Sequence, residues 1–571
     1  MDMDSVEIDL LVIGSGVGGM AAALAGAVLG MNVIVVEKTD KIGGTSARSA
    51  GSVWLPNTRH SSDGEDNFEL ALTYLRNAIE SLLDEEKIAV FLHAAPKMVD
   101  LFEDKTSVKL RAYPYHPDYL ATLKGATLSG RVLEPVPFDA SVLGHEFHNL
   151  RSPLPEFMLL GGMMVDRTDI GHLMSAWRNP SSLWHTLRLL YRYGRDRLRH
   201  TRGTRLVMGN ALVGRLYYSL LQNRVPVWLS TETHSLTQSS DRISGAILNC
   251  SGKRIEVRTK VGVILATGGV SHHPTLRKSL MPPSLSDASS VVDSATGDGL
   301  SLAESVGGHL CVEHVSNSFW APVSKRQRSD GSTAVFPHFV LDRGKPGALA
   351  VNPTGKRFVN EATTYHLFGR AIFETLENFS GRSCYLLCDD DFIEKYGLGM
   401  VRPKRLGLSA AVQDGYVVKA GTLEGLADKI DLPKDALVAT VARHNSFALT
   451  GIDADFGKGK DVYQRNLGDP SYCPNPCLGK LTCPPFYALE ILPGDIGTSA
   501  GLKTNASAQV LGVNDNPISG LYACGNDMES IMSGYYPGPG ITLGPAMTFG
   551  YIAAQHAFGI LKNQKSKKQG T

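Results

Sequence analysis

Net charge is what this sequence most plainly lacks. Its 57 lysines and arginines face 56 aspartates and glutamates, a formal +1 at neutral pH. Nothing in that balance would gather a polyanion, so no nucleic-acid partner is expected. Cysteine is scarce as well, eight in 571 residues, and no two stand as Cys-x-x-Cys. Cys473, Cys477 and Cys483 share a proline-rich loop without ligand spacing, so the expectation is loop packing and no metal. A basic leader is also missing. Asp2, Asp4, Glu7 and Asp9 make the opening acidic, the reverse of a secretory n-region, and a reducing, cytoplasmic setting is expected. No internal repeat is found.

One long stretch lacks charge altogether. Residues 10–36 hold no acid or base, which is long enough to cross a bilayer. Gly14, Gly16, Gly18, Gly19, Gly26 and Gly30 interrupt it, its ends are β-branched and its middle is alanine-rich. That pattern predicts strand, helix and strand instead of one membrane helix.

What is present begins with size. At 571 residues, with 43% apolar and 20% charged side chains, the chain reads as globular and too long for one simple core. Residues 8–13 read as a buried strand, residues 20–29 as a helix and residues 33–36 as a second strand. Between the first two lies Gly14-Ser15-Gly16-Val17-Gly18-Gly19. Glycines there let the backbone approach a pyrophosphate at a helix N-terminus. Glu37 ends the second strand, 23 residues after Gly14, where an acid accepts hydrogen bonds from an adenosine ribose. Motif and context together point to a bound dinucleotide. No second such motif follows a strand, so no separate NAD domain is expected.

Further along, Gly43-Gly44-Thr45-Ser46-Ala47-Arg48-Ser49-Ala50-Gly51 suits a loop lying along a cofactor. Residues 67–81 and 84–103 read as amphipathic helices. Tyr113, Tyr115 and Tyr119 crowd a proline-rich loop. Residues 151–205 look like an insertion. Within it, 182–202 mixes apolar residues with Arg188, Arg192, Arg195, Arg197, Arg199 and Arg202, which suits either a peripheral membrane contact or a solvated helix. Residues 225–229, 243–248 and 261–266 read as strands, the last running into Ala266-Thr267-Gly268-Gly269. Thr296-Gly297-Asp298-Gly299 then opens a short helix expected over 300–306. Residues 319–495 change to polar loops and irregular strands, and Gly520 onward reads as a strand ending in Gly525-Asn526-Asp527. A lysine-rich tail, Lys562 to Lys568, reads as a solvated end.

Near the C-terminus stands Ser533-Gly534-Tyr535-Tyr536-Pro537-Gly538-Pro539-Gly540-Ile541-Thr542-Leu543-Gly544. Proline and glycine in alternation build a rigid turn, followed by a helix from Thr542. The Tyr536 phenol and the Gly540 amide can then aim at one oxygen, an oxyanion site for a carbonyl compound; a tight surface turn is the other reading.

The run at 43–51 resembles flavoproteins of the fumarate reductase and 3-ketosteroid dehydrogenase superfamily. Pro117-Asp118-Tyr119, Asn360-Glu361 through Tyr365 to Phe368-Gly369-Arg370, and Tyr536-Pro537-Gly538-Pro539-Gly540 then resemble the 3-ketosteroid Δ1-dehydrogenases. The resemblance implies an α/β fold with α+β elements: a Rossmann-like FAD-binding domain, discontinuous over 1–318 and 496–571, with a catalytic domain inserted at 319–495. FAD should be non-covalent, because no histidine lies between Gly43 and Trp54. Its contacts should come from Gly14, Ser15, Gly16, Gly18, Gly19, Glu37 and Lys38; from Gly43, Gly44, Thr45, Ser46 and Gly51; from Ala266, Gly268 and Asp298; and from Gly525, Asn526, Asp527 and Leu543.

The same resemblance implies a chemistry. Tyr536 and Gly540 should grip a C3 carbonyl oxygen, Tyr365 should take a proton from C2, and Tyr119 should help Tyr365 ionise. Hydride should leave C1 for flavin N5. The expected substrate is a 3-oxosteroid or a similar polycyclic ketone such as a triterpenoid, with a quinone-like electron acceptor. A Δ4-(5α)-dehydrogenase, and more distantly a fumarate-reductase-like enzyme, are the alternatives.

Overall fold

The computed structural model describes residues 4–61, 66–283, 285 and 287–569. Asp2 and the side chains of Asp4, Lys567 and Lys568 lie outside the described set. Strand β1 (Asp4–Ile13) runs parallel to β2 (Val33–Val36) on one side and to Lys253–Leu265 on the other. The end of Lys253–Leu265 also pairs in parallel with Pro517–Ala523. The two ends of the chain therefore share one sheet, eight-stranded among the described residues. Its parallel strands are continuous apolar runs because both faces are covered; every residue of β2 is buried. Thr231–Ser239 and Arg242–Cys250 extend it as an antiparallel arm.

Helix α1 (Val17–Val28) joins β1 to β2 and lies against the C-terminal helix Leu543–Gln569. The approach is close: a Cβ on Gly550 would sit 2.5 Å from the Gly18 carbonyl oxygen. The charge-free stretch is thus strand, helix and strand. Among the described residues no helix is long and apolar enough to cross a membrane.

A second sheet has six strands. Thr333–Pro337, Ser318–Gln327, Phe486–Thr498, Cys384–Asp389 and Leu349–Val351 lie in that order, with Val418–Ala420 also on Phe486–Thr498. All its pairings are antiparallel. Helix Tyr365–Leu376 packs on Ser318–Gln327 through Gly369, where an added Cβ would come within 2.8 Å of Trp320.

Residues 167–196 form the helices Arg167–Ser175 and Pro180–Asp196. The second buries Ser182, Thr186, Leu189 and Asp196. Its larger apolar side chains turn outward: Trp184 is 70% exposed and Tyr191 74%, with Trp177 at 87% just before it. One member of the basic stretch leaves the surface. Arg202 is buried, its guanidinium donating to Asn210 at 2.9 Å and lying 4.6 Å from the Phe147 ring centre.

Candidate active site

Three distant stretches bring phenols to one point. Tyr119, Tyr365 and Tyr536 are all buried. Their ring centres lie 5.5 Å apart for Tyr119 and Tyr365, 5.1 Å for Tyr365 and Tyr536, and 6.0 Å for Tyr119 and Tyr536. The rings of Tyr119 and Tyr536 each stand against that of Tyr365, edge-on in the first case and tilted by 64° in the second.

Each phenol is held from behind by its own element. Tyr365 is the first residue of helix Tyr365–Leu376. Thr364 caps that helix by accepting from the Leu367 N–H at 3.3 Å, which starts the helix at the tyrosine. Tyr119 follows Asp118, whose carboxylate is fully buried. That carboxylate accepts from Trp54 Nε1 at 2.9 Å, from Arg131 at 2.7 Å and from the Thr127 N–H at 3.0 Å. Arg131 also reaches Asp66 at 2.8 Å. Tyr113 and Tyr115 separate from Tyr119: Tyr113 lies under Arg167 at 5.1 Å, and Tyr115 is 43% exposed.

The turn carrying Tyr536 is fastened to the Tyr119 loop. The Pro537 carbonyl accepts from the Tyr119 N–H at 3.0 Å and from the Tyr74 hydroxyl at 2.5 Å. Gly540 has φ +87°, and a Cβ there would stand 2.3 Å from the Ser52 carbonyl oxygen, so only glycine fits. Its own carbonyl accepts from the Trp54 N–H at 3.1 Å, while its N–H meets no acceptor among the described residues.

Burial pushes Tyr119 and Tyr365 well above the ordinary tyrosine value, with the neighbouring phenols adding to it. Tyr536 is also raised by burial, with the Tyr365 and Thr542 hydroxyls acting against it. His366, next to Tyr365, is pulled down by burial to about 3 and is neutral.

Several of the expected cofactor contacts, Gly14, Glu37, Ala266 and Gly525 among them, follow the C-terminal ends of the parallel strands of the first sheet. A Cβ on Gly14, at φ +108°, would meet the Ala266 oxygen at 2.1 Å, so this glycine lets β1 touch the next strand. A Cβ on Gly19 would meet the Gly14 oxygen at 2.1 Å, while one on Gly18 would have the Ala546 oxygen at 3.2 Å and Cys524 Sγ at 3.3 Å. Gly16 differs: nothing but the Ser46 hydroxyl comes near, at 3.8 Å, and it starts α1 without a side-chain cap. An open glycine at an uncapped helix N-terminus fits a diphosphate. Ser46 Oγ accepts from the Val17 N–H at 3.3 Å, and Thr45 Oγ1 from the Val292 N–H at 3.2 Å. Gly43 donates to Ser15 Oγ at 3.1 Å. Gly44 starts the short turn Gly44–Arg48, and Gly51 packs on Met208 and Gly209.

The charged members of this set already have protein partners. Glu37 accepts from the Ser15 N–H and hydroxyl at one oxygen and from the Thr39 N–H and hydroxyl at the other. Lys38 donates to Thr296 at 2.6 Å and to Asp298 at 2.7 Å. Asp527 accepts from Thr267, Gly268 and Gly269, tying the two glycine turns together. Beside them, a small cavity is lined by Gly525, Asn526, Thr498, Phe319, Thr542 and neighbours up to Phe549. The Thr498 hydroxyl is buried there without a partner. Phe319 stands edge-on to Tyr536 at 5.1 Å, so cavity and phenols share a wall. Leu543 starts the helix beyond that wall. An unpartnered hydroxyl, an open glycine cradle and an adjoining cavity suit a flavin nucleotide.

Two site residues escaped sequence reasoning. Tyr463 lies 4.7 Å from Tyr119, ring centre to ring centre, and Arg343 is wholly buried beside it. Neither belongs to a recognisable motif; only the folded chain brings them in. Elsewhere, Cys311, His314 and Glu529 approach within 4.8 Å of one another. Glu529 is ion-paired with Lys87, which already neutralises it.

Residues 9–543 match the FAD binding domain family. The chain is 35% identical to a 3-oxosteroid 1-dehydrogenase of Mycolicibacterium smegmatis, over 97% of both chains. It is also 35% identical to a 4-oxocyclohex-2-ene-1-carboxylate 5-dehydrogenase of Sinomonas cyclohexanicum, covering 96% of this chain and 94% of that one. A crystal structure of 3-ketosteroid Δ1-dehydrogenase from Sterolibacterium denitrificans, in complex with 1,4-androstadiene-3,17-dione, superposes with TM-score 0.88. It is 36% identical and covers 97% of this chain and 99% of its own.

Proposed function

This chain belongs to the FAD-binding flavoprotein family of the 3-oxosteroid 1-dehydrogenases, and from that premise we propose that it takes the C1 and C2 hydrogens from a 3-oxosteroid or a similar polycyclic 3-ketone, triterpenoids included. One observation carries the reading: three buried phenols from distant stretches meet beside a glycine whose N–H is unused.

The residues divide the work as follows. Tyr536 O–H and Gly540 N–H donate to the C3 carbonyl oxygen and hold the ring in place. As the C2 proton leaves, negative charge grows on that oxygen, and donors already aimed there lower the barrier by roughly 3–4 kcal/mol each. Tyr365, as phenolate, accepts the C2 proton at its oxygen. Tyr119 donates to that oxygen and stabilises the anion. The apolar rings of Phe319 and Phe339, the latter 4.9 Å from Tyr365, exclude water from the reacting carbons. Bound FAD supplies the hydride acceptor. A quinone or similar acceptor is the sink for the two electrons.

The glycine turns and the Thr498 cavity support non-covalent flavin held between 1–318 and 496–571, with 319–495 contributing Tyr365. Incubation with a panel of 3-ketosteroids, fumarate and 4-oxocyclohexanecarboxylate tests the reading. A C1–C2 double bond in a steroid product is the expected result. Unsaturation at C4–C5, or turnover of fumarate alone, would overturn it. Acid precipitation should release the flavin intact.

The outward apolar face of Pro180–Asp196 supports peripheral contact with an anionic lipid surface. Trp177, Trp184 and Tyr191 suit the headgroup layer, and exposed Arg188, Arg195, Arg197 and Arg199 suit its charge. Sedimentation with phosphatidylserine vesicles should carry the protein down. Trp184→Glu with Leu187→Glu should leave it in the supernatant with turnover of soluble substrate unchanged.

A further inference from the structure

Burial works against an anion on Tyr365, so something must favour it. The titratable groups around it are few. Tyr119 faces it from the 113–127 loop, Tyr536 from the proline–glycine turn, and Tyr463 stands behind Tyr119. His366 on its own helix is neutral, and Arg370 is paired with Glu374 at 3.1 Å. Arg343 remains.

Arg343 has no exposed surface. Its guanidinium donates only to backbone oxygens among the described residues: His338 at 2.9 Å, Phe339 at 2.8 and 3.1 Å, Glu361 at 2.7 Å, and Thr363. The nearest acids in sequence are taken elsewhere. Asp342 accepts from His338 at 2.6 Å and from the Gly399 N–H at 3.0 Å. Glu361 pairs with Arg357 at 2.8 Å and Lys458 at 3.3 Å. A buried cation without a counter-anion is costly unless a partner forms. Its backbone partners place it next to the phenols: the Thr363 carbonyl lies two residues before Tyr365, and the Tyr463 hydroxyl, behind Tyr119, is buried without a hydrogen-bond partner among the described residues. Its charge favours ionised Tyr463 and ionised Tyr119. The carbonyls it binds lead directly into Tyr365, and Phe339, another acceptor, packs on the Tyr365 ring.

We propose that Arg343 is a positioning residue for the base: an unneutralised buried guanidinium whose counter-anion is the phenolate shared by Tyr463, Tyr119 and Tyr365 during turnover. This rests on the reading that Tyr365 is the base. No group other than the phenol proton moves.

The test is the pH profile of kcat/KM for the holoenzyme and its Arg343→Lys, Arg343→Met and Tyr463→Phe variants. Loss of the cation should move the acid limb of Arg343→Met upward by about one pH unit, a roughly tenfold loss at pH 7 that recovers at high pH. Arg343→Lys should keep the limb near its wild-type position, and Tyr463→Phe should shift it part of the way. A substrate-free ultraviolet titration should show tyrosinate appearing at higher pH in Arg343→Met than in wild type. Where Arg343→Met does not fold, Tyr463→Phe decides. A limb unmoved in the folded variants, with kcat reduced equally at every pH, would sink the proposal, as would a Lys variant shifted as far as Met. Failure of the parent reading looks different: Tyr365→Phe would then turn over steroid at the wild-type rate.

Discussion

Tyr365 must carry charge in a place built to exclude water. Its phenyl ring is wanted there for an apolar substrate, and the anion is what the surroundings resist. Removing the hydroxyl should be decisive: Tyr365→Phe should lower kcat by about 10²–10⁴ while flavin absorbance stays with the protein. Tyr536→Phe keeps the base and removes one donor, so kcat should fall by about 10²–10³. Stopped-flow flavin bleaching with a 3-ketosteroid reads both. Tyr536 and Gly540 could be read from the sequence as candidate donors because five consecutive residues of one turn hold both. Tyr463 could not, because a tyrosine inside the short helix Val462–Leu467 has no local mark, and its partner arrives from the 113–127 loop. Glu37 stands at the expected end of β2, yet Ser15 and Thr39 fill its oxygens, which no spacing discloses.

Among the elements, the proline–glycine turn is clamped on both sides, and its tolerance should be small. Gly540→Ala puts a methyl 2.3 Å from the Ser52 oxygen at a left-handed φ. We expect kcat to collapse and the thermal midpoint to drop, measured by turnover and by calorimetry. The Tyr119 loop hangs on Arg131, which lies between buried Asp66 and Asp118. Arg131→Met would leave both carboxylates unpaired, at a cost of about 3–5 kcal/mol in denaturant unfolding. Helix Tyr365–Leu376 shows how local reading falls short. Its stretch is legible only through the resemblance, with no helix start assigned; capping by Thr364 and packing of Phe368, Ile372 and Leu376 make it a helix.

For the whole molecule, acid should be the weak direction. Burial holds His444 at about 4 and His366 at about 3, below the ordinary 6.5. As pH falls through 6.5 the unfolded chain takes up these protons first, so their contribution to stability is full above 6.5 and declines towards 4. The thermal midpoint should fall across that window, and His444→Asn should flatten the slope. His444 sits far from the phenols in sequence and binds the Gly479 carbonyl, so turnover is a separate readout.

By itself the sequence determined the α/β frame and its nucleotide. Glycines at fixed steps between apolar runs admit one local geometry, and that geometry needs no distant partner to be recognised. Tertiary structure alone decided which phenols meet, which arginine lies bare behind them and which helix turns its tryptophan outward. Those choices depend on residues hundreds of positions apart burying one another, a matter of packing that no single stretch carries.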